Sequence, residues 1–284
     1  MQAENKFLNQ PLEFWAYVKL ISQKVGYAKK GEIIVPTIKE VKTAFEKLNL
    51  DDSAIIKGEN LTQFGKLLFE YLEHRKLVLK DHFEPNLQNL EQGRELFNKL
   101  HGELAPKCPL PMNKQTGEKK APSYFTGVIN MVIESNCGKY ECDYDPRELT
   151  AFTYNNKPIR SLSRRVDGSF PNVINPIAIW EIKEYYYTTT FGSRVADGVY
   201  ETQLDGYELK EVVDHLGIRV DHCLMIDDYN TWWNMGKSYL CRIVDMLHMG
   251  LVTEVLVGKE VVTRLPVLVA EWRKRLDKQK EADS

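Results

Sequence analysis

Through the first hundred residues apolar side chains recur every three or four positions, the spacing that lines one face of a helix. In PLEFWAYVKLISQKV the set is Leu12, Trp15, Tyr17, Val18 and Ile21. PTIKEVKTAFEKLNL repeats it with Val41, Phe45 and Leu48, behind Thr37 and Glu40 at the spacing of a capping box. NLTQFGKLLFEYLEHRKLVL adds Leu61, Phe64, Leu68 and Tyr71, and NLEQGRELFNKLHGEL is a further amphipathic helix. The periodicity then stops. Residues 105–122, APKCPLPMNKQTGEKKAP, hold four prolines and four lysines with few apolar side chains. Such a loop divides the chain into a helical region, 1–115, and a second region, 116–284.

Beyond the loop the patterning changes. SYFTGVINMVIES reads as a helix, IRSLSRRV and NVINPIAIWEIK as strands, and GSRVADGVYETQLDGYELKEVVDHL as a long helix. RVDHCLMIDD reads as a strand, GKSYLCRIVDMLHMG as a helix, and PVLVAEWRKRLDKQKEADS as a charged final helix. Helix, strand, strand, helix, strand, helix predicts an α/β fold with a central mixed β-sheet flanked by helices.

Composition narrows the class. At 284 residues, 43% hydrophobic, the chain has enough apolar surface for a substantial core. Its longest apolar runs are too short to span a bilayer, and MQAENKFLNQ lacks the charged and apolar regions of a signal peptide. Five cysteines, an odd number without a CxxC pair, argue for a reducing compartment and against structural zinc. The expectation is a cytoplasmic protein without a membrane partner. A net charge of −2 argues against diffuse binding to nucleic acid but leaves room for a local basic groove.

The candidate chemistry lies at the end of one strand. NVINPIAIWEIK is an apolar run that closes on Glu181 and Lys183, two opposite charges on the same face of a strand. Glu-x-Lys occurs five times in the chain, but this copy alone ends a strand-forming run. Fourteen positions upstream, in SRRVDGSF, lies Asp167. A strand pair bending at Asp167-Gly168-Ser169 would bring its carboxylate to Glu181 and Lys183. Two converging carboxylates repel unless a cation separates them, and oxygen-only ligation suits Mg²⁺, with Mn²⁺ able to substitute. Lys183 would orient or deprotonate the attacking water, or neutralise charge developing on a phosphate. Those are the parts of a metal-dependent phosphodiesterase.

Asp167 followed by Glu181-Ile182-Lys183 resembles the bipartite signature of the PD-(D/E)XK nuclease superfamily, which includes many type II restriction endonucleases. Val166 stands where that signature often has proline. The resemblance covers about the C-terminal half of the chain. It implies a restriction-endonuclease-like core in the order helix, three strands, helix, strand, and cleavage of double-stranded DNA by a homodimer. It further implies metal ligation by Asp167, Glu181 and the backbone carbonyl of Ile182, with Lys183 serving the water. Gln203 and Tyr207, four apart in QLDGY, resemble the Gln-x-x-x-Tyr motif of one branch. Glu134 matches the acidic residue that many members carry on the first core helix.

Each residue has a plainer reading beside the functional one. Glu181 and Lys183 also suit a salt bridge at a strand edge, and Asp167-Gly168 suits a hairpin turn, leaving Asp143 or Asp145 as substitute ligands. Gln203 and Tyr207 suit core packing. Arg160, Arg164 and Arg165 suit either phosphate contacts or a solvated strand. His215 and His222, each preceded by an aspartate, fall across a helix end and a strand start and so point in different directions. The lysines at 19, 24, 29, 30, 39, 42 and 47 suit DNA recognition or a solvated helix face.

Overall fold

The capping box at Thr37 forms as its spacing predicts. Glu40 N donates to Thr37 Oγ1 at 3.2 Å, and Thr37 N donates to Glu40 Oε2 at 2.8 Å. The structure, a computed structural model, describes residues 1–8, 10–113, 120–190 and 192–282. The boundary expected at 115/116 lies outside the described residues.

The N-terminal part holds α1 (Asn5–Leu8), α2 (Leu12–Val25), α3 (Ile38–Leu48), α4 (Gln63–Val78), α5 (Glu84–Asn86) and α6 (Leu90–Leu104). Two short antiparallel pairs interrupt them, β1 (Ala28–Lys29) with β2 (Glu32–Ile33) and β3 (Ile56–Lys57) with β4 (Asn60–Leu61). The periodic residues Trp15, Val18, Ile21, Val41, Phe45, Leu68 and Tyr71 close one core, while Leu12, a residue off that stripe, is exposed. A buried ion pair fastens this part to the rest. Arg75 of α4 reaches both oxygens of Asp245 at 3.0 Å, Tyr71 donates to the same carboxylate at 2.6 Å, and Arg75 Nη2 donates to Ser22.

The second part begins with α7 (Tyr124–Cys137), β5 (Asp143–Tyr144), β6 (Ala151–Tyr154), β7 (Lys157–Ser161), β8 (Gly168–Phe170) and β9 (Ala178–Glu184). It continues through α8 (Ser193–Leu216), β10 (Asp221–Asp227), α9 (Lys237–His248), β11 (Glu254–Val257) and α10 (Val261–Ala282). Five strands form a mixed sheet in the order β11-β10-β9-β8-β5. β5, β8 and β9 pair antiparallel, and β9, β10 and β11 pair parallel. Parallel neighbours need long crossovers, which α8 and α9 supply. One sheet face packs against α7 and α10 through Trp180, which stacks on Trp272 at 5.9 Å and 3°. The other face receives Ile179 with Leu209 and Val212 of α8, and Leu224 and Ile226 with Val244 and Leu247 of α9.

Three details differ from the sequence reading. β6 and β7 form a hairpin outside the main sheet, turning at Asn155 and Asn156, both at positive φ. The edge strands β5 and β11 are two and four residues long, too short for a sequence pattern to register. The chain does not bend at Asp167-Gly168-Ser169: those residues enter β8, and the reversal lies between Phe170 and Ala178. Among the described residues no helix is long and apolar enough to cross a membrane.

Gly168 lies so close to Trp180 that an added Cβ would overlap the indole, and Trp180 is fully buried against Trp272. Gly168→Ala should therefore lower stability by roughly 1–3 kcal/mol, the usual range for overpacking. Gly102→Ala, in α6 with open space around it, should raise it by about 0.5–1 kcal/mol. Equilibrium urea denaturation of the two variants checks both signs.

Candidate functional site

Strand register brings the distant halves of the signature together. Gly168 pairs with Trp180, so Asp167, one residue earlier, lies across from Glu181. Asp167 N donates to Trp180 O at 3.1 Å, and Ile182 N donates to Asp167 Oδ2 at 2.7 Å. Where β8 has no further backbone carbonyl to offer, the Asp167 side chain accepts in its place. Glu181 and Lys183 alternate with Trp180 and Ile182, so they face α8 rather than α7 and α10. Lys183 Nζ lies 2.7 Å from Glu181 Oε2, and Glu181 has no exposed surface.

A second cation closes over the first pair. Arg164, in the segment between β7 and β8, places Nη1 2.6 Å from Asp205 Oδ2 and 2.9 Å from Glu181 Oε1. Its Nη2 lies 3.4 Å from Glu201, which is also 3.8 Å from Lys183 Nζ. Ser163 anchors the same segment, donating to Glu208 from its N at 2.9 Å and its Oγ at 2.5 Å. α8 can approach this closely because Gly198 has no side chain: a Cβ there would press on Lys183 and Tyr185.

Four carboxylates therefore share two cations. Burial alone would raise Glu181, but Lys183 and Arg164 outweigh it and hold the group below its ordinary value. Asp167 is pushed up to about 6 by burial and by repulsion from Glu181, and Asp205 to about 7 for the same two reasons. Burial pulls Lys183 down, yet Glu181 and Asp167 prevail and raise it, so its ammonium stays charged. The surplus of negative charge is relieved by protonating Asp167 and Asp205 or by admitting another cation. Glu181 Oε1 and Asp205 Oδ1 are buried without a well-aligned hydrogen-bond donor among the described residues. All-oxygen donors and surplus negative charge fit a hard divalent cation. Asp167, Glu181 and the Ile182 carbonyl are the groups that could hold it. Among the described residues no group of three or more His, Cys, Asp or Glu side chains makes a metal cage by itself.

Asp167, Glu181, Ile182, Lys183 and Arg164 are thus brought together. Glu134 is not: its carboxylate accepts from Lys107 N at 2.9 Å, on the loop before α7. Gln203 and the exposed Tyr207 lie off the α8 face that meets Glu181, and no hydrogen bond among the described residues joins them to it. Arg160 is held by Glu208 and Glu211 at 3.0 Å each, and Arg165 is exposed. Asp143 pairs in register with Ser169, and Asp145 donates from its N to Asp167 O at 3.1 Å while its carboxylate lies 2.9 Å from Arg147. Among the described residues neither carboxylate forms an ion pair with Lys183 or Arg164. His215 is exposed, whereas His222 is buried with Nδ1 on Leu251 O.

Glu201 and Asp205 escaped the sequence reading. A signal existed in Gly198, Thr202 and Gly206, spaced by four on one helix face. Gly206 meets the Leu251 backbone as Gly198 meets Lys183, so small residues mark the side of α8 that approaches the sheet. Acidic residues next to that stripe were the ones to follow.

Asp205 gives a pH test. In the unfolded chain it titrates near ~4, and in the fold at about 7. Between those values the folded protein holds the extra proton, so the group's stabilising contribution is full below the lower value. It is lost as pH rises through the upper one. Asp205→Asn cannot titrate. The melting temperature of the parent relative to Asp205→Asn should fall as pH rises from about 5 to about 8. A pH-independent difference in scanning calorimetry would refute this.

Two family matches cover nearly all of the chain. Residues 1–82 match the family described as Domain of unknown function (DUF7690), which takes in α1 to α4. Residues 88–272 match the family described as Domain of unknown function (DUF7687), which takes in all five strands of the main sheet and every member of the ion cluster. No curated protein matches the chain, and no solved structure does. Since that second match spans well over half of its length, the chain belongs to the DUF7687 family.

Proposed function

We propose that this protein is a Mg²⁺-dependent deoxyribonuclease of the PD-(D/E)XK kind, hydrolysing phosphodiester bonds in double-stranded DNA at a specific sequence. The observation that carries the reading is the 2.7 Å bond from Ile182 N to the Asp167 carboxylate. It joins two halves of a signature fourteen residues apart and sets Asp167 beside Glu181 and Lys183. The order α7, β5, β8, β9, α8, β10 supports it too, being the helix, three strands, helix, strand of that superfamily once the β6–β7 hairpin is set aside.

In this reading Asp167, Glu181 and the Ile182 carbonyl hold the ion. When bound, Mg²⁺ supplies a Lewis acid for the phosphate and lowers the pKa of coordinated water. Lys183, kept charged by its neighbours, orients the nucleophile and balances charge on the phosphate. Arg164 stands beside the second Glu181 oxygen, so cation binding competes with its guanidinium there. Arg165 is the arginine of the three with an exposed side chain and no ion-pair partner among the described residues, which suits it to a DNA phosphate. A two-fold DNA site would be matched by a homodimer.

One observation favours a rival, a purely structural ion network. Glu181 is wholly buried and already has a cation beside each oxygen.

Incubation with mixed-sequence plasmid DNA separates the two. Cleavage is expected with Mg²⁺ or Mn²⁺ and is abolished by chelator. Lys183→Ala should lose at least ~100-fold in rate. Asp167→Asn should be similarly impaired while melting no lower than the parent, because the amide oxygen still accepts from Ile182 N without burying a charge. Discrete fragments indicate a sequence-specific enzyme, and loss from ends or single strands indicates an end-processing nuclease on the same fold. If no metal-dependent scission of any DNA occurs, or if Lys183→Ala cleaves at the parent rate, the ion network is structural and the nuclease reading fails.

A further inference from the structure

α7 ends at Cys137, and Gly138, at a φ of 63°, turns the chain back on itself. The return sets Cys142, immediately before β5, against the end of the helix, with Sγ atoms 3.0 Å apart. Both are free thiols. Cys137 is 3% exposed and Cys142 is half-buried. The hydrogen bond from Cys142 lowers Cys137 in spite of its burial, and the Tyr144 hydroxyl and the Arg273 guanidinium assist. Arg273 is held over the turn by donating to Asn136 O at 3.0 Å. Cys142 is shifted the opposite way, mainly by the same bond to Cys137. Two sulfurs in contact, with Cys137 favoured as the thiolate by its neighbour's hydrogen bond, suit an attacking and a resolving thiol.

We propose that Cys137 and Cys142 are a reversible redox site at which a hydroperoxide installs an intramolecular disulfide. The Cys137 thiolate attacks one peroxide oxygen, forming S–O as the O–O bond breaks. The departing oxyanion takes up a proton and leaves as water or an alcohol, and Cys137 becomes a sulfenic acid. The Cys142 sulfur then attacks the Cys137 sulfur, forming S–S as S–O breaks. Its proton leaves with the hydroxyl group as water. Two thiols are oxidised by two electrons and one peroxide is reduced; a dithiol reductant reverses the change. The sulfurs need to close only from 3.0 Å to the bond length of about 2.05 Å. Four residues span the turn between the two cysteines. Among the described residues no other pair of cysteines is in sulfur–sulfur contact: Cys223 and Cys241 are fully buried, and Cys108 lies against Glu134.

Peptide mapping after alkylation tests the proposal on the full chain treated with hydrogen peroxide. The expected result is a species with three alkylatable thiols of the original five, a peptide linking Cys137 to Cys142, and full recovery with dithiothreitol. Cys142→Ser should stop at the sulfenic acid, so that dimedone labels Cys137. Cys137→Ser should give no dimedone adduct at Cys142 under the same dose. Five thiols surviving in the parent, or a disulfide joining any other pair or two chains, would overturn the assignment. The parent protein alone decides this even if a serine variant folds poorly.

Discussion

A carboxylate without access to water governs the architecture around β9. Leaving Glu181 charged in the interior costs several kcal/mol unless cations accompany it. The fold supplies two from different places, Lys183 from the same strand and Arg164 from the segment before β8. Each demands something of its surroundings. Lys183 needs a helix that can pass over its aliphatic stem, which Gly198 permits. Arg164 needs its segment fixed, which Glu208 and Ser163 achieve from the far end of α8. The extra acids that come with these supports, Glu201 and Asp205, leave the cluster short of positive charge. Burial and that shortage together raise Asp167 and Asp205 above the ordinary carboxylate range.

Much of the fold was legible from periodicity because helix and strand stripes are local. α7, α8, α9 and α10 and the strands β9 and β10 stand where the apolar spacing put them. β5 and β11 were not legible: their few residues are strands only because β8 and β10 lie beside them. The site divided along the same line. Glu181 and Lys183 were readable from one strand, since alternation fixes which side chains share a face. The side of α8 turned to that face depends on contacts with Lys183 and Leu251, remote in sequence, so Gln203 and Tyr207 drew attention that belonged to Glu201 and Asp205. Asp167 was ambiguous because Asp-Gly suits a turn as well as a ligand. Register resolved its position, as the residue before β8 whose side chain completes a ladder that the backbone leaves unfinished.

The same economy of parts recurs at the opposite edge of α7. Its first turn is held by Glu184, whose carboxylate accepts from Thr126 N at 3.0 Å and from the Thr126 hydroxyl at 2.9 Å. Glu184 directly follows Lys183, so a single strand end organises both the ion cluster on one sheet face and the start of a helix on the other. Alternation of side chains makes this possible: neighbours in sequence serve opposite layers.

The Arg75–Asp245 pair bears on how the two matched segments of this chain depend on each other. Its two residues lie in segments that match separate families, 1–82 and 88–272. Asp245 of α9 takes its guanidinium and its tyrosine hydroxyl from the first segment. Stranding one half of such a pair typically costs about 3–5 kcal/mol, a large fraction of an ordinary domain's stability. That cost falls on a change that removes Arg75 and leaves the covering helices in place, since loss of the helices themselves would expose Asp245 to water. The pair therefore makes the two matched segments of this chain depend on each other at the level of single side chains.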